Sequence, residues 1–522
     1  MRFPFFPSRP PAAAAGAVLV AGLVTGCSSP PAPPPPAAVA VEDAPADIEA
    51  RVHAFCGGSC HAYPPADSFP KRHWRGEVER GFRFFERSGL ALPAPPIESV
   101  VRYYEARAPE ELPPAACPAA ARPLPVRFDR LGYPNPPGAG RPAVSHLSLV
   151  HLPQPGTTGP GPLAVLACDM QGGRVMLLRP TDPAPAWRVL ARVPHPAHAE
   201  VVDLDRDGVA DILVADLGSF PPTDRRCGRV VWLRGRADGS FTPVTLLDNV
   251  GRVADVRAAD FRGTGKLDLV VAVFGLIETG EILFLENQTA DWAAPRFAPR
   301  KVDARHGAIH LPVADLDGDG KPDFVALLAQ EHESVVAFVN DGAGGFRPKT
   351  LYAAPHPGYG SSGIQLTDLN GDGRLDVLYS NGDILDEPYL LKPYHGVQWL
   401  ENTGGLRFEH RPVGPMYGAH NAVAADVFGT GRPAILAVSF LPADKFPDRV
   451  ARKADAVVVF EQVAAGRFER HSLAAVDCDA VVCAAGDLYG TGRTDLVTGN
   501  FGSAATDHPV AIWKNLGPPQ AK

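Results

Sequence analysis

Asp315-Leu-Asp-Gly-Asp-Gly-Lys-Pro-Asp323 is the stretch from which the fold is read. It sets carboxylates at positions 1, 3, 5 and 9 of a nine-residue turn, and an apolar run follows it. The pattern recurs at Asp203-Leu-Asp-Arg-Asp-Gly-Val-Ala-Asp211 and at Asp368-Leu-Asn-Gly-Asp-Gly-Arg-Leu-Asp376. Copies without acids at positions 3 and 5 start at Asp260, Asp426 and Asp487. The six starts, 203, 260, 315, 368, 426 and 487, lie 57, 55, 53, 58 and 61 residues apart. Each turn precedes a strand-like run such as Ile212–Ala215, and a further strand ends in a turn about twenty residues on, as at Phe284-Leu-Glu-Asn287. One period holds about four short strands, the content of one propeller blade. An eroded copy carrying Leu147–His151 and Leu163–Asp169 precedes the first clear one, giving seven blades over 141–516 with no room for an eighth.

A hard cation such as Ca2+ takes several oxygen ligands. In the three complete turns these come from Asp203, Asp205, Asp207 and Asp211, from Asp315, Asp317, Asp319 and Asp323, and from Asp368, Asn370, Asp372 and Asp376. The backbone carbonyls of Val209, Lys321 and Arg374 add one each. Without a cation each turn is a cluster of like charges. The expected cofactor is structural Ca2+ in these three turns and none in the others.

The opening residues read as an export signal. Arg2 and Arg9 precede an apolar stretch, Ala12–Val24, too short to span a bilayer. It ends Leu23-Val-Thr-Gly-Cys27. Residues 1–26 are read as the signal, and 27–45, rich in Pro and Ala, as an extended spacer. Residues 46–120 carry helical stripes: Ile48/Val52/Phe55 behind a possible Asp47 cap, Trp74/Val78/Phe82/Phe85, and Ile97/Val101/Tyr104 behind Pro95-Pro96. Residues 121–140 read as a linker. Net charge is −8, which gives no footprint for nucleic acid.

Cys56-Gly-Gly-Ser-Cys60-His61 closes the first helix. Two thiols and an adjacent His on one turn suit covalent haem attachment with His61 on the iron. The spacing has one residue more than C-x-x-C-H, so a disulfide beside an idle His, or a zinc site, stays open. The four methionines, Met1, Met170, Met176 and Met416, all lie outside this segment, which leaves His73 or His53 as a second axial ligand, an open iron, or a docked propeller residue. His73 also reads as part of a solvated basic turn. Cys478 and Cys483 read as a local disulfide or as buried thiols.

His198 and His310 stand five residues before Asp203 and Asp315, and His420 stands six before Asp426. Each enters the innermost strand of its blade on the face opposite the acidic turns, and the next strand returns Asp216, Asn381 and Asn500 there. This face is expected to bind a ligand, or its histidines are each satisfied by backbone carbonyls.

Leu23–Cys27 resembles the lipobox of bacterial lipoproteins, which implies lipid on Cys27. The repeats resemble FG-GAP/VCBS propellers, which implies calcium in the complete turns. Phe55-Cys-Gly-Gly-Ser-Cys-His-Ala-Tyr-Pro-Pro65 with Phe69–Trp74 looks like the cytochrome c-type unit fused ahead of such repeats in some bacteria; it departs by one inserted residue and by lacking a Met. The expectation is a mainly β chain: a seven-bladed propeller behind a small all-α cytochrome c-like domain with haem c. It would be exported, tied to the membrane through lipid alone, and would meet a redox partner protein or surface ligand. An adhesin-like scaffold with a Cys56–Cys60 disulfide is the second expectation. The third is a haem-coupled oxidoreductase acting on the His-lined face; no nucleophile–base pair stands out for it.

Overall fold

The middle strands of each blade are buried on both faces, whereas the outermost are largely exposed. The second strands of blades 2 to 7, for example Asp211–Asp216, Asp268–Val273, Asp323–Leu328 and Asp376–Asn381, are buried at every residue, and in blade 1 only Leu163 is half-buried. A strand covered on both sides reads as a continuous apolar run, and the covering surfaces here are the neighbouring blades. A computed structural model describes residues 47–519, apart from 58–61, 119, 121, 155–158, 160, 386–388, 476 and 503–505.

Seven antiparallel sheets make the ring. The innermost strands of blades 1 to 7 are Val144–His151, Pro196–Val202, Val253–Ala259, Ala308–His310 with Val313–Ala314, Ser361–Thr367, Ala419–Ala425 and Cys483–Gly486. The inner strand of blade 4 is broken because Pro312 has no N–H for the ladder, and Leu311 donates its own N–H to Asp255 Oδ2 at 2.8 Å.

One boundary differs from expectation. Arg127–Gly132 (β1), within the stretch read as linker, is the outermost strand of blade 7. It pairs antiparallel with Val510–Gly517, Arg130 opposite Trp513 and Leu131 opposite Ile512. The first strand of the propeller therefore completes its last sheet. The ring has no unpaired edge at the seam between the chain's two ends.

Ahead of the ring lie Ile48–Cys56 (α1), Trp74–Ser88 (α2) and Ile97–Glu105 (α3). Asp47 stands at the N-cap of α1 but makes no side-chain cap bond. Gly89, at φ 69°, ends α2 in the left-handed conformation. Trp74 stacks on Tyr104 with ring centres 3.8 Å apart and planes 4° off parallel, and its Nε1 donates to Ala66 O at 2.9 Å. Val52, Phe69, Val78, Val100 and Val101 complete this small core.

The helices are seated on the propeller. Tyr394 Oη donates to Ser68 O at 3.3 Å, and the Phe69 ring lies so close to Gly358 that a Cβ there would stand 2.8 Å from it. Beyond α3 the chain is pinned by Ala115 N to Tyr417 Oη at 2.7 Å and by Arg122 Nη2 to Glu461 Oε1 at 2.6 Å. No helix of the described residues is long and apolar enough to cross a membrane.

Candidate functional site

The acidic turns join the first and second strands of their blades, all on one face. Their positions do different work. Position 1 closes the turn: Asp203 accepts from the N–H of Asp207 and Gly208 at 3.1 and 3.0 Å, and Asp426 accepts equally from Thr430 and Gly431 at 2.9 and 2.8 Å. Position 9 latches the hairpin to the third strand. Asp323 accepts from Leu316 N at 2.9 Å and Asn340 N at 2.8 Å, and Asp376, Asp495 and Asp211 bond in the same way. Position 1 bonds alike in complete and incomplete turns, and Asp495 bonds at position 9 as the complete turns do, whereas the Asp426 turn has Ala434 there. Positions 3 and 5 are what the complete turns add. Asp203, Asp205 and Asp211 bring one carboxylate oxygen each within 4.8 Å of one another, as do Asp315, Asp317 and Asp323. In the turn that starts at Asp260, Arg262 occupies position 3 and donates to Asp268 at 3.0 and 2.9 Å. A resident guanidinium there meets the position-9 carboxylate.

On the other face the inner strands carry a repeated β-bulge. The register slips between residues 144 and 146, 196 and 198, 253 and 255, 308 and 310, 361 and 363, and 419 and 421. The residue after the slip is His146, His198, Asp255, His310, Gly363 or Asn421. Four of them meet in the channel. The His146 and His198 rings are 4.2 Å apart, and His198 Nδ1 lies 3.0 Å from Asp255 Oδ1, though off line for a hydrogen bond. Arg257 Nε donates to Asp255 Oδ1 at 3.0 Å. Burial alone would raise the Asp255 carboxyl, but Arg257 and then His198 override it and hold it well below the usual range. Burial pushes His146, His198 and His310 down, His310 to about 4, so all three are neutral at pH 7. Blade 5 closes the ring: a Cβ on Gly363 would meet Ser380 Oγ at 2.8 Å and Asn421 Nδ2 at 2.9 Å. His420 sits one residue out of step, inside the slip, and its Nδ1 meets Val481 O at 3.0 Å.

Between the helices and blades 3 to 5 lies a cleft of about 670 Å3. Phe55, Trp74, Val78, Phe82, Phe85 and Tyr104 form its apolar wall, and Arg80, Arg87 and Lys392 are its cations. Cys56 opens onto it, and burial lifts that thiol to about 11. Phe84 and Leu385, 38% and 56% exposed, line the same cleft. His73 does not line it; its Nε2 is buried with no partner among the described atoms. His53 stacks on Tyr63 with ring centres 3.7 Å apart.

A family model described as FG-GAP-like repeat matches residues 203–271 and 307–379. These segments contain all three complete acidic turns. The chain carries FG-GAP repeats. No curated protein matches it.

An FG-GAP propeller of seven blades is a scaffold for binding a ligand or partner, and its two faces differ in what they offer. Of the expected ligand-face residues, His198 and His310 come together in the channel with His146, Asp255 and Arg257. Asp216, Asn381 and Asn500 do not join them. Asp216 holds His195 N at 3.0 Å and Arg229 Nη2 at 2.6 Å, Asn381 donates to Tyr359 O and Tyr394 O, and Asn500 to Thr506 O and His508 O. These three tie loops together. Asp255 was legible: it stands five residues before Asp260, as His198 does before Asp203. Cys27, Cys60 and His61 lie outside the described residues. Cys478 and Cys483 are buried free thiols.

Proposed function

We propose that this chain is an exported, lipid-anchored binding protein whose FG-GAP propeller, braced by Ca2+ in its three complete turns, takes a ligand or partner on the face that carries the helices. Its helical unit holds covalent haem on Cys56 and Cys60 with His61 on the iron, for electron transfer or redox sensing. The observation that carries this reading is the cleft beside Cys56. An aromatic wall, cations and a volume of about 670 Å3 suit a large, flat, apolar group with anionic edges. Haem would supply one-electron chemistry there. The chain's own residues exclude water from one side through Trp74 and Phe69, and Arg87 offers charge to an anionic edge, while Arg80 is paired with Glu77 at 3.4 Å and Lys392 donates to Gly358 O at 3.0 Å. His73 does not line this cleft.

One observation favours a binding scaffold without haem. Trp74, Tyr104 and Tyr63 already stack into a closed core, so the helices have packing of their own. A pyridine haemochrome spectrum of protein made with the haem-attachment machinery separates the two readings. A c-type α-band in the wild type and none in Cys60→Ala is the expected result. Exported wild type without the band overturns the redox reading and leaves a calcium-braced propeller with a disulfide at its neck.

A further inference from the structure

His306 lies in the connection from blade 3 to blade 4, and Glu331 and His332 lie in the 3-10 turn Gln330–His332 between the second and third strands of blade 4. One ring nitrogen from each histidine and one Glu331 oxygen all lie within 4.8 Å of one another. His306 Nε2 is 2.8 Å from Glu331 Oε2, and the two imidazole centres are 5.0 Å apart. We propose that His306, Glu331 and His332 form a site for a divalent ion of the zinc class, with its fourth position open to the cleft.

The local backbone is built to bring these groups together. Gly307, at φ 83°, lets the two loops touch: a Cβ there would stand 2.7 Å from Ala329 O. The turn is held in a rarely populated conformation, with Gln330 at φ 59° and Glu333 at φ 36°. Glu333 is locked by its carboxylate, which accepts from Gly360 N at 3.1 Å and Ser361 N at 2.7 Å. A turn fixed at both ends presents its two middle side chains without conformational choice.

The chemistry of the donors fits as well. Two imidazoles and one carboxylate are the protein ligands of open tetrahedral zinc sites and of related open transition-metal sites. His332 Nε2 is sealed from water with no partner among the described atoms, which is costly for a polar nitrogen left as it is. Asp303, held by Arg305 at 3.0 and 2.7 Å, lies near enough to act electrostatically on His332. A comparable trio, Glu461, Glu469 and His471, differs in that Arg122 reaches both of its glutamates, so its charge is already met. His306 and Glu331 line the cleft and His332 does not, which places the free coordination position toward the helices.

Co2+ titration of the full chain in excess Ca2+ tests this, followed by displacement with Zn2+. The expected result is one tightly bound Co2+ with visible d–d bands, no thiolate charge-transfer band, and reversal by Zn2+. His306→Ala and Glu331→Gln should each weaken it by more than about tenfold while the melting temperature holds. A thiolate band would put the ion on the cysteines, and undiminished binding in either variant would remove it from this trio; both overturn the proposal. Glu331→Gln keeps side-chain volume, so the test survives should a smaller residue at 306 disturb the loop. Cys56 and His61 are not ligands here, so this result and the haem result are independent.

Discussion

His198 Nδ1 stands 3.0 Å from Asp255 Oδ1, joining the innermost strands of two neighbouring blades in a place almost sealed from water. Asp255 also carries Arg257, with Nε at 3.0 Å, and accepts the N–H of Leu311 from the next blade. One carboxylate therefore ties blades 2, 3 and 4. Removing it leaves the Arg257 guanidinium with the longer contact to Glu200 at 3.9 Å and leaves Leu311 N–H without its acceptor. Asp255→Ala should lower unfolding free energy by about 3–5 kcal/mol, measured by urea denaturation. A loss below about 1 kcal/mol would mean the network contributes specificity rather than stability.

His310 gives the ring a pH dependence whose sign can be worked out. Burial brings its pKa from 6.5 to about 4 in the folded chain. Between those values the unfolded chain binds the extra proton, so this residue's contribution to stability is present above pH 6.5 and falls as pH drops toward 4. The fall amounts to at most about 3 kcal/mol. Glu200, raised to about 7 by burial, works in the opposite direction as pH rises from the usual carboxylate range toward 7. The comparison must therefore be between variants. His310→Gln should flatten the acid limb of a melting-temperature profile relative to wild type, and parallel profiles would contradict this.

Calcium should bind three times, not six. Asp205→Ala, Asp317→Ala and Asp372→Ala should each remove one ion by calorimetry. Thr264→Ala and Thr430→Ala, in the turns without acids at positions 3 and 5, should leave ion count unchanged. Saturation at a hundredfold over the dissociation constant stabilises by about 2.7 kcal/mol per site, so chelation should lower the melting temperature of wild type and progressively less in the variants. The turns compete internally: Asp205 lies 2.6 Å from Arg234 and Asp319 lies 2.6 Å from Lys321, so Arg234→Ala and Lys321→Ala should tighten binding.

Closure by β1 predicts a sharp length dependence. A chain starting at Arg122 loses the helices but keeps the outer strand of blade 7; one starting at Tyr133 loses both. The first should melt cooperatively as a monomer. The second should melt lower and associate, because Val510–Gly517 becomes an open edge. Equal melting and equal mass in solution would show that the seam is not needed.

The blades were legible because the acidic turn is a local pattern, with its acids two and four residues apart and a glycine fixed in place. β1 was not, since Arg130 finds its partner in Trp513 near the far end of the chain, and Pro134, Pro136 and Pro137 beside it disguise the strand as linker. Asp216, Asn381 and Asn500 were placed on the correct face, but they bond mainly loop carbonyls and N–H groups, which carry no side-chain signature, and the side chains that two of them also meet, Arg229 and Gln398, stand 13 and 17 residues away. Asp255 shares no residue type with the histidines of the ring, and only its place five residues before Asp260 marks it. His306, Glu331 and His332 come from two loops with no motif between them, and only the close approach at Gly307 unites them.

Arg262 has a consequence for the ring as a whole. Its guanidinium sits where blades 2, 4 and 5 would draw on dissolved calcium, and it is tethered by its own side chain to the hairpin it serves. Blade 3 is thus insulated from the surrounding medium, as are blades 6 and 7, whose turns lack the acids. If calcium became scarce, the ring would soften unevenly, over one arc and on one face, while the opposite rim and the helix-bearing side kept their shape.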